Sequence, residues 1–153
     1  MRGFDEKWLA EYRNRDLRIK PPLPDRITFH IPLLLALPNQ TMGQHWSKNN
    51  RQKKRLRDAL LPVLMPYFEH EPMLRASLTV TRHSIGTAQP DWDNLFASIK
   101  PLADLLLVKS KTHPHSFGLI AGDGPHQLFP SVNAVRVLHR AQERTEVVIE
   151  RIK

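Results

Sequence analysis

Proline content places the tightest limit on what this chain can fold into. Thirteen of the 153 residues are proline, whereas proline makes up about 5% of an average protein. Because a proline inside a helix removes a backbone hydrogen bond and clashes with the preceding turn, this content predicts many loops and turns. A pure helical bundle is therefore disfavoured, and the length suits a single main domain.

Apolar periodicity predicts the secondary structure. Alternation of apolar and polar residues predicts strands over 27–31, 76–82, 132–138 and 146–152, and helical spacing predicts helices over 47–67 and 94–107. The last two strands are separated by a short polar stretch, so we expect them to pair as a hairpin. The order of elements predicts an α+β fold in which a small mixed sheet packs against two main helices.

Each of the two main helices carries prolines that should modify it. In the first helix, Leu56, Leu60 and Leu64 recur at every fourth position, and Pro62 and Pro66 are expected to kink or end it. In the second helix, Pro101 lies inside the apolar pattern and predicts a kink. We expect Asp93 or Asn94 to be the N-cap of this second helix.

The N-terminal part of the chain differs from the rest. Residues 4–17 have apolar residues at roughly helical spacing, and residues 20–25 form a proline-rich connector. We therefore expect a short N-terminal helix and connector over 1–25, followed by the main domain over 26–153.

Charge and cysteine content narrow the possible functions. The net charge is +8, and the sequence has no cysteine, which excludes disulfide frameworks, thiolate metal sites and cysteine nucleophiles. A basic protein is either kept soluble by its charge or binds a polyanion such as nucleic acid. No apolar run is long enough to cross a bilayer, and the first residues lack the apolar stretch of a secretion signal, so we expect a cytoplasmic protein with no membrane partner.

The basic residues are concentrated in one segment. Between His45 and Arg57, before the first acid at Asp58, the chain carries Lys48, Arg51, Lys53, Lys54 and Arg55 as well as Arg57. Such a block on one helix either forms a solvated face or neutralises several phosphates of a nucleic acid.

The acidic residues also have an informative distribution. From Pro72 to Gln142 the only carboxylates are Asp91, Asp93, Asp104 and Asp123. Short carboxylates close together are typical of sites for hard cations, although the same residues also suit a helix N-cap and β-turns. Together with the basic block, they favour metal-assisted hydrolysis of a phosphodiester.

Four motifs of the chain resemble those of the RusA-like endodeoxyribonucleases, which are Holliday-junction resolvases of bacteria and phages. The matching elements are Asp91-Trp92-Asp93-Asn94-Leu95, Lys100, Asp104-Leu105 and Ile120-Ala121-Gly122-Asp123. Upstream, Pro38-Asn39, Gly43, His45-Trp46 and Lys53-Lys54 also resemble the phage-type members. The resemblance covers about residues 27–152.

The resemblance implies a small homodimer that binds branched DNA and nicks two strands symmetrically, with Mg²⁺ as cofactor and Mn²⁺ as a substitute. Asp91, Asp93 and Asp123 match the metal-binding acids, and Lys100 matches a catalytic lysine. Asp104 and Asn94 would support these residues, although a surface ion pair with Lys100 is favoured for Asp104 over direct metal ligation. The DNA-contacting set would be Asn39, His45, Lys48, Arg51, Lys53, Lys54, Arg55, Lys109 and Lys111.

The chain departs from the family pattern at Gly122, where the family has the first acid of an Asp-Asp pair. This departure leaves open a DNA-binding protein without catalytic activity, and a nuclease specific for flaps or forks is a further alternative. Trp46 is adjacent to the basic block and is expected to be a buried structural residue more than a DNA contact.

Overall fold

The fold is described from a computed structural model over residues 20–41, 43, 46–86 and 89–153. The predicted N-terminal helix lies outside the described residues. The strands are β1 (Arg26–Ile31), β2 (Ala76–Ser84), β3 (Leu128–Arg136) and β4 (Arg144–Arg151). The helices are α1 (Pro38–Thr41), α2 (Trp46–Leu64), α3 (Trp92–Ala97) and α4 (Lys100–Leu106), with 3₁₀ turns at Met65–Tyr67 and Arg140–Gln142.

The strands form one mixed sheet in the order β1-β4-β2-β3. β4 pairs antiparallel with both β1 and β2, whereas β3 pairs parallel with β2. A parallel pair needs a crossover connection, and the segment with α3 and α4 supplies it between β2 and β3. The α+β class predicted from the sequence is confirmed.

The predicted hairpin between the last two strands is wrong, because β3 and β4 lie on opposite sides of β2. β2 is buried on alternate residues from Ala76 to Val80 and on every residue from Arg82 to Ser84, and it takes a central position. β3 is largely exposed and includes Pro130, which suits the edge of a sheet. The link between β3 and β4 crosses the end of β2, where the Val137 backbone N–H donates to the Ser84 carbonyl oxygen at 3.1 Å.

The core lies between one face of the sheet and the helices. Ile27, Ile31 and Ile149 point from the sheet into this layer and are almost completely buried. The helices contribute Leu60 and Leu102 among others, and each is fully buried. Burial of a leucine side chain contributes about 1.5–3 kcal/mol, so this layer accounts for much of the folding free energy.

The first main helix is confirmed with small differences at its ends. α2 begins at Trp46 and ends at Leu64, and its buried residues are Leu56, Leu60 and Leu64 as predicted. Pro62 is accommodated inside the helix. The chain then tightens into the 3₁₀ turn that contains Pro66, which ends the α-helix.

Pro101 divides the second predicted helix in two. α3 ends at Ala97, residues 98–99 form a turn, and α4 begins at Lys100 with the proline in its first turn. A proline is well tolerated there because the first helical N–H groups have no partner inside the helix. The predicted N-cap is wrong: Asp91 takes this position, since the helix already begins at Trp92.

The connector joins the main domain before β1 begins. Leu23 is buried in the core, and Pro22 forms an isolated bridge with Glu71. In the described part of the chain, no helix has both the length and the apolar character needed to cross a bilayer.

Candidate functional site

Three of the predicted site residues form a single ion-pair cluster. Lys100 Nζ donates to Asp104 Oδ1 at 2.6 Å and to Asp123 Oδ2 at 2.9 Å. Lys100 and Asp104 are one turn apart on α4, so the surface pair expected from their spacing is confirmed. Asp123 comes from a loop 23 residues away in the sequence. Lys100 therefore links the helix to the glycine-flanked loop.

The loop that carries Asp123 is held in place by the residues just before it. Ile120 is fully buried and forms isolated bridges with Met73 and Leu107. The Ala121 backbone N–H donates to the Met73 carbonyl oxygen at 2.9 Å. These contacts tie the start of the loop to the end of α4 and to the segment before β2, which brings Asp123 over Lys100.

The charges of the cluster stabilise each other. The hydrogen bond to Asp104, and then that to Asp123, raises the pKa of Lys100 above its usual 10.5. The hydrogen bond from Lys100 lowers the pKa of Asp123 below its usual 3.8. The Lys100–Asp123 pair is consequently fully ionised over the whole neutral range. Because both side chains are largely exposed, water screens the pair and its contribution to folding is small.

Asp91 and Asp93 lie at the beginning of α3, and both are exposed. The backbone carbonyl of Asp91 accepts the first helical hydrogen bond, from Leu95 N–H at 2.9 Å, while its side chain makes no capping bond. Among the described residues, neither carboxylate has an ion-pair partner. Their oxygens are therefore available to an external cation.

The structure does not assemble all three predicted metal ligands. In the described part of the chain, no group of three or more His, Asp or Glu side chains is arranged to hold a metal ion. Asp123 is instead bound by Lys100. The donor chemistry nevertheless suits Mg²⁺, because this ion prefers carboxylate oxygens, and one or two of them suffice when water and a substrate phosphate complete its shell.

Two neighbouring positions bear on the same site. The Asn94 backbone carbonyl accepts a hydrogen bond from Ser98 N–H at 3.0 Å within α3. At Gly122, an added Cβ would lie 2.3 Å from Gln127 Oε1. Because the obstacle is the end of a flexible side chain, the fold tolerates a larger residue at position 122 once Gln127 turns away.

The basic block lies on the N-terminal half of α2. Lys48, Arg51, Lys53, Lys54 and Arg55 are exposed, while Arg57 is half-buried. Lys54 Nζ donates to Asp58 Oδ2 at 3.0 Å, so part of its charge is already compensated. The N-terminal half of the helix thus presents a positively charged surface.

A groove connects this surface to the ion-pair cluster. The groove has a volume of about 390 Å³. Lys53, Lys54 and Arg57 line one side, the loop over 112–116 lines the other, and Asp104 also lines it. We name this feature the α2 groove. It places three basic side chains beside the carboxylate that Lys100 joins to Asp123.

The predicted DNA contacts outside the basic block are not among the described residues that line this groove. Lys109 and Lys111 are exposed on the loop after α4, and Asn39 is exposed on α1. His45 lies outside the described residues. The expectation that Trp46 is buried is wrong: it is 69% exposed at the first position of α2.

Aromatic exposure beside the aspartates was not predicted. Trp92, between Asp91 and Asp93 in sequence, is 64% exposed and packs against the exposed Phe96 with ring centroids 6.5 Å apart. Their spacing of four residues on a helix was the available signal. An exposed pair of rings next to free carboxylates is suited to contact with nucleotide bases.

Comparison with known proteins finds no similarity that assigns a family. No protein-family model matches the chain, and no curated protein matches it either.

Proposed function

We propose that the protein is a Mg²⁺-dependent, structure-specific endodeoxyribonuclease of the RusA-like kind. It would resolve Holliday junctions or related branched DNA by paired symmetrical nicks. The observation that carries this proposal is the α2 groove, in which basic side chains lie beside the Lys100–Asp104–Asp123 cluster. Such an arrangement could bind the phosphate backbone of DNA next to carboxylates that bind a cation.

The basic surface would bind DNA through its phosphates. Lysine and arginine side chains on one helix contact the backbone and position the duplex without reading its sequence. A branched substrate is then distinguished by its shape and by where its phosphates lie. Lys53 and Arg57 are the strongest candidates for such contacts, because both line the groove and neither has an ion pair with a described carboxylate.

The carboxylates would bind the cation beside the scissile phosphate. Asp91 and Asp93 would hold Mg²⁺ with Asp123, and the bound ion would supply an activated water and stabilise negative charge on the phosphate. Lys100 would keep the Asp123 carboxylate ionised and oriented, and it would donate a hydrogen bond to a phosphate oxygen of the bound DNA. Asp104 would hold the ammonium group of Lys100 in place.

The proposed activity also implies an oligomeric state and a cellular location. Two symmetrical nicks require two sites related by a two-fold axis, so we propose a homodimer. We further propose a role in the cytoplasm, in DNA recombination and repair or in the processing of phage DNA.

A cleavage assay on a series of DNA substrates tests this function. The substrates are a synthetic four-way junction, a flap, a fork and a linear duplex, each with and without Mg²⁺. We expect paired nicks in the junction only when Mg²⁺ is present, and slow or no cleavage of the linear duplex. Faster cleavage of flaps or forks would assign the alternative nuclease specificity.

A DNA-binding protein without catalytic activity is the second candidate. It is favoured by the lack of an assembled three-ligand group among the described residues and by Gly122 at the position of the family acid. Tight binding of the four-way junction with no nicking in Mg²⁺ or Mn²⁺ would establish this candidate and exclude the first.

A further inference from the structure

A second and larger cavity lies on the other side of α2. Its volume is about 700 Å³, which is in the range that holds a small organic ligand. The loop after β1, residues of α2, the junction of α3 with α4 and the 3₁₀ turn before β4 line it. We name it the Arg82 cavity after the β2 residue that lines it.

Arg82 is a buried cation with no ion pair to a carboxylate of the described residues. The residue is only 8% exposed. Its Nη1 donates to the Leu35 carbonyl oxygen at 2.6 Å, whereas its Nε is buried without a hydrogen-bond partner. Burial lowers the pKa of Arg82, and the more distant charge of Glu143 only partly opposes this effect. Burying a charge without an ion pair is costly, and an anion that reached the guanidinium group from the cavity would reduce this cost.

The other charged groups around the cavity have the same sign. Lys53, Arg55 and Arg140 line it together with Arg82, and Glu143 is the one acid among the described lining residues. Arg140 contacts this acid only at 4.0 Å, and its own side chain is 88% exposed. The cavity therefore has an excess of guanidinium groups, which bind phosphate oxygens in a bidentate manner.

The remaining lining suits a flat organic group. Pro32, Leu34 and Ala97 give apolar surface, and Asn49 and Gln52 bring side-chain amides from α2. Side-chain amides pair with the edges of nucleobases, and apolar side chains pack against their faces.

We infer that the Arg82 cavity binds a single nucleotide, with its phosphate at Arg82 and Arg140 and its base against the apolar wall. Lys53, Leu56 and Pro101 line both this cavity and the α2 groove, so the two adjoin. This inference deepens the proposed function and rests on it in one respect: the nucleotide would be an unpaired one at the branch point of the DNA.

Titration of the full-length protein with deoxyadenosine monophosphate tests the inference without DNA, metal or cleavage. The variants are Arg82→Lys and Arg140→Gln, and Arg136→Gln on β3 is the matched control because it removes one exposed arginine away from the cavity. Isothermal calorimetry in EDTA measures binding, and circular dichroism verifies folding. If Arg82→Lys does not fold, the exposed Arg140 still provides the test.

We expect saturable binding with a Kd of about 1 mM or tighter, weakened about tenfold by Arg82→Lys, which loses charge-assisted hydrogen bonds. Arg140→Gln should weaken it about threefold, since its charge is screened by solvent, and Arg136→Gln should leave it unchanged. No saturation, equal loss in the control, or equally tight binding of inorganic phosphate alone would overturn the inference. Junction cleavage that persists without nucleotide binding would refute the inference and leave the proposed function standing.

Discussion

The salt dependence of DNA binding gives a quantitative test of the α2 groove. Each phosphate neutralised by a lysine or arginine contributes about 0.9 to the slope of log Kd against log salt concentration. Lys53 lines the groove without an ion pair to a described carboxylate, so Lys53→Gln should lower the slope by about 0.9. Lys54 is already paired with Asp58 at 3.0 Å. Removal of the Lys54 charge should therefore lower the slope by less than about 0.9.

For the double variant, the expected decrease in slope lies between about 0.9 and 1.8. When the salt concentration rises from 50 to 200 mM, the affinity of a variant that lacks one contact should fall about 3.5-fold less than that of wild type. Fluorescence anisotropy of a labelled four-way junction in EDTA measures this without cleavage. Arg26→Gln, an exposed charge on β1 that pairs with Glu150, is the control. An unchanged slope in the double variant would refute the assignment of these lysines to phosphate contacts.

Three further predictions concern the cluster and the core. Lys100→Met should abolish nicking, because it removes the ammonium group that orients Asp123 and would donate to a phosphate oxygen. It should change junction binding little, because the basic surface of α2 stays intact; nicking at the normal rate would exclude Lys100 from the site. The lowered pKa of Asp123 stabilises the fold above pH 3.8, and this contribution is lost as the pH falls through the lower folded value. The raised pKa of Lys100 stabilises below pH 10.5, and its contribution is lost as the pH rises through the higher folded value. The stability difference between wild type and Lys100→Met, measured by urea unfolding, should therefore be flat from about pH 5 to 9, and a step inside that window would contradict the pairing. Finally, Leu60→Ala should cost about 2–5 kcal/mol in the same assay, since the residue is fully buried; a cost below about 1 kcal/mol would contradict its place in the core.

Local patterns of the sequence predicted the parts of the fold that depend on near neighbours. The leucines at every fourth position of α2 identified its buried face, and the spacing of Lys100 and Asp104 identified their ion pair. Pro101 predicted a local disturbance of the second helix, although the structure has two separate helices there and not the single kinked helix that was expected. In each case the interacting residues lie within two turns of one helix, so the sequence contains the whole interaction.

Contacts between residues that are distant in the sequence could not be predicted in the same way. The alternation of β3 and β4 is equally compatible with a hairpin and with separate positions, and the competition for the buried centre of the sheet places β2 between them. The contact of Lys100 with Asp123 depends on how the buried Ile120 anchors its loop. Arg82 lies on the same face of β2 as Leu78 and Val80, so its burial had a signal in the sequence, whereas the cavity beside it is lined by distant elements and had none.

The most direct test of the account compares junction binding and junction cleavage by Asp93→Asn. This substitution removes the charge of an exposed carboxylate with no described ion-pair partner, so the fold should be unaffected. Glu69→Gln, an exposed acid outside the site, is the matched control. We predict that Asp93→Asn binds the four-way junction as tightly as wild type and makes no nicks in Mg²⁺, whereas the control cleaves normally. Cleavage by Asp93→Asn at the wild-type rate would contradict the assignment of these aspartates to a catalytic cation.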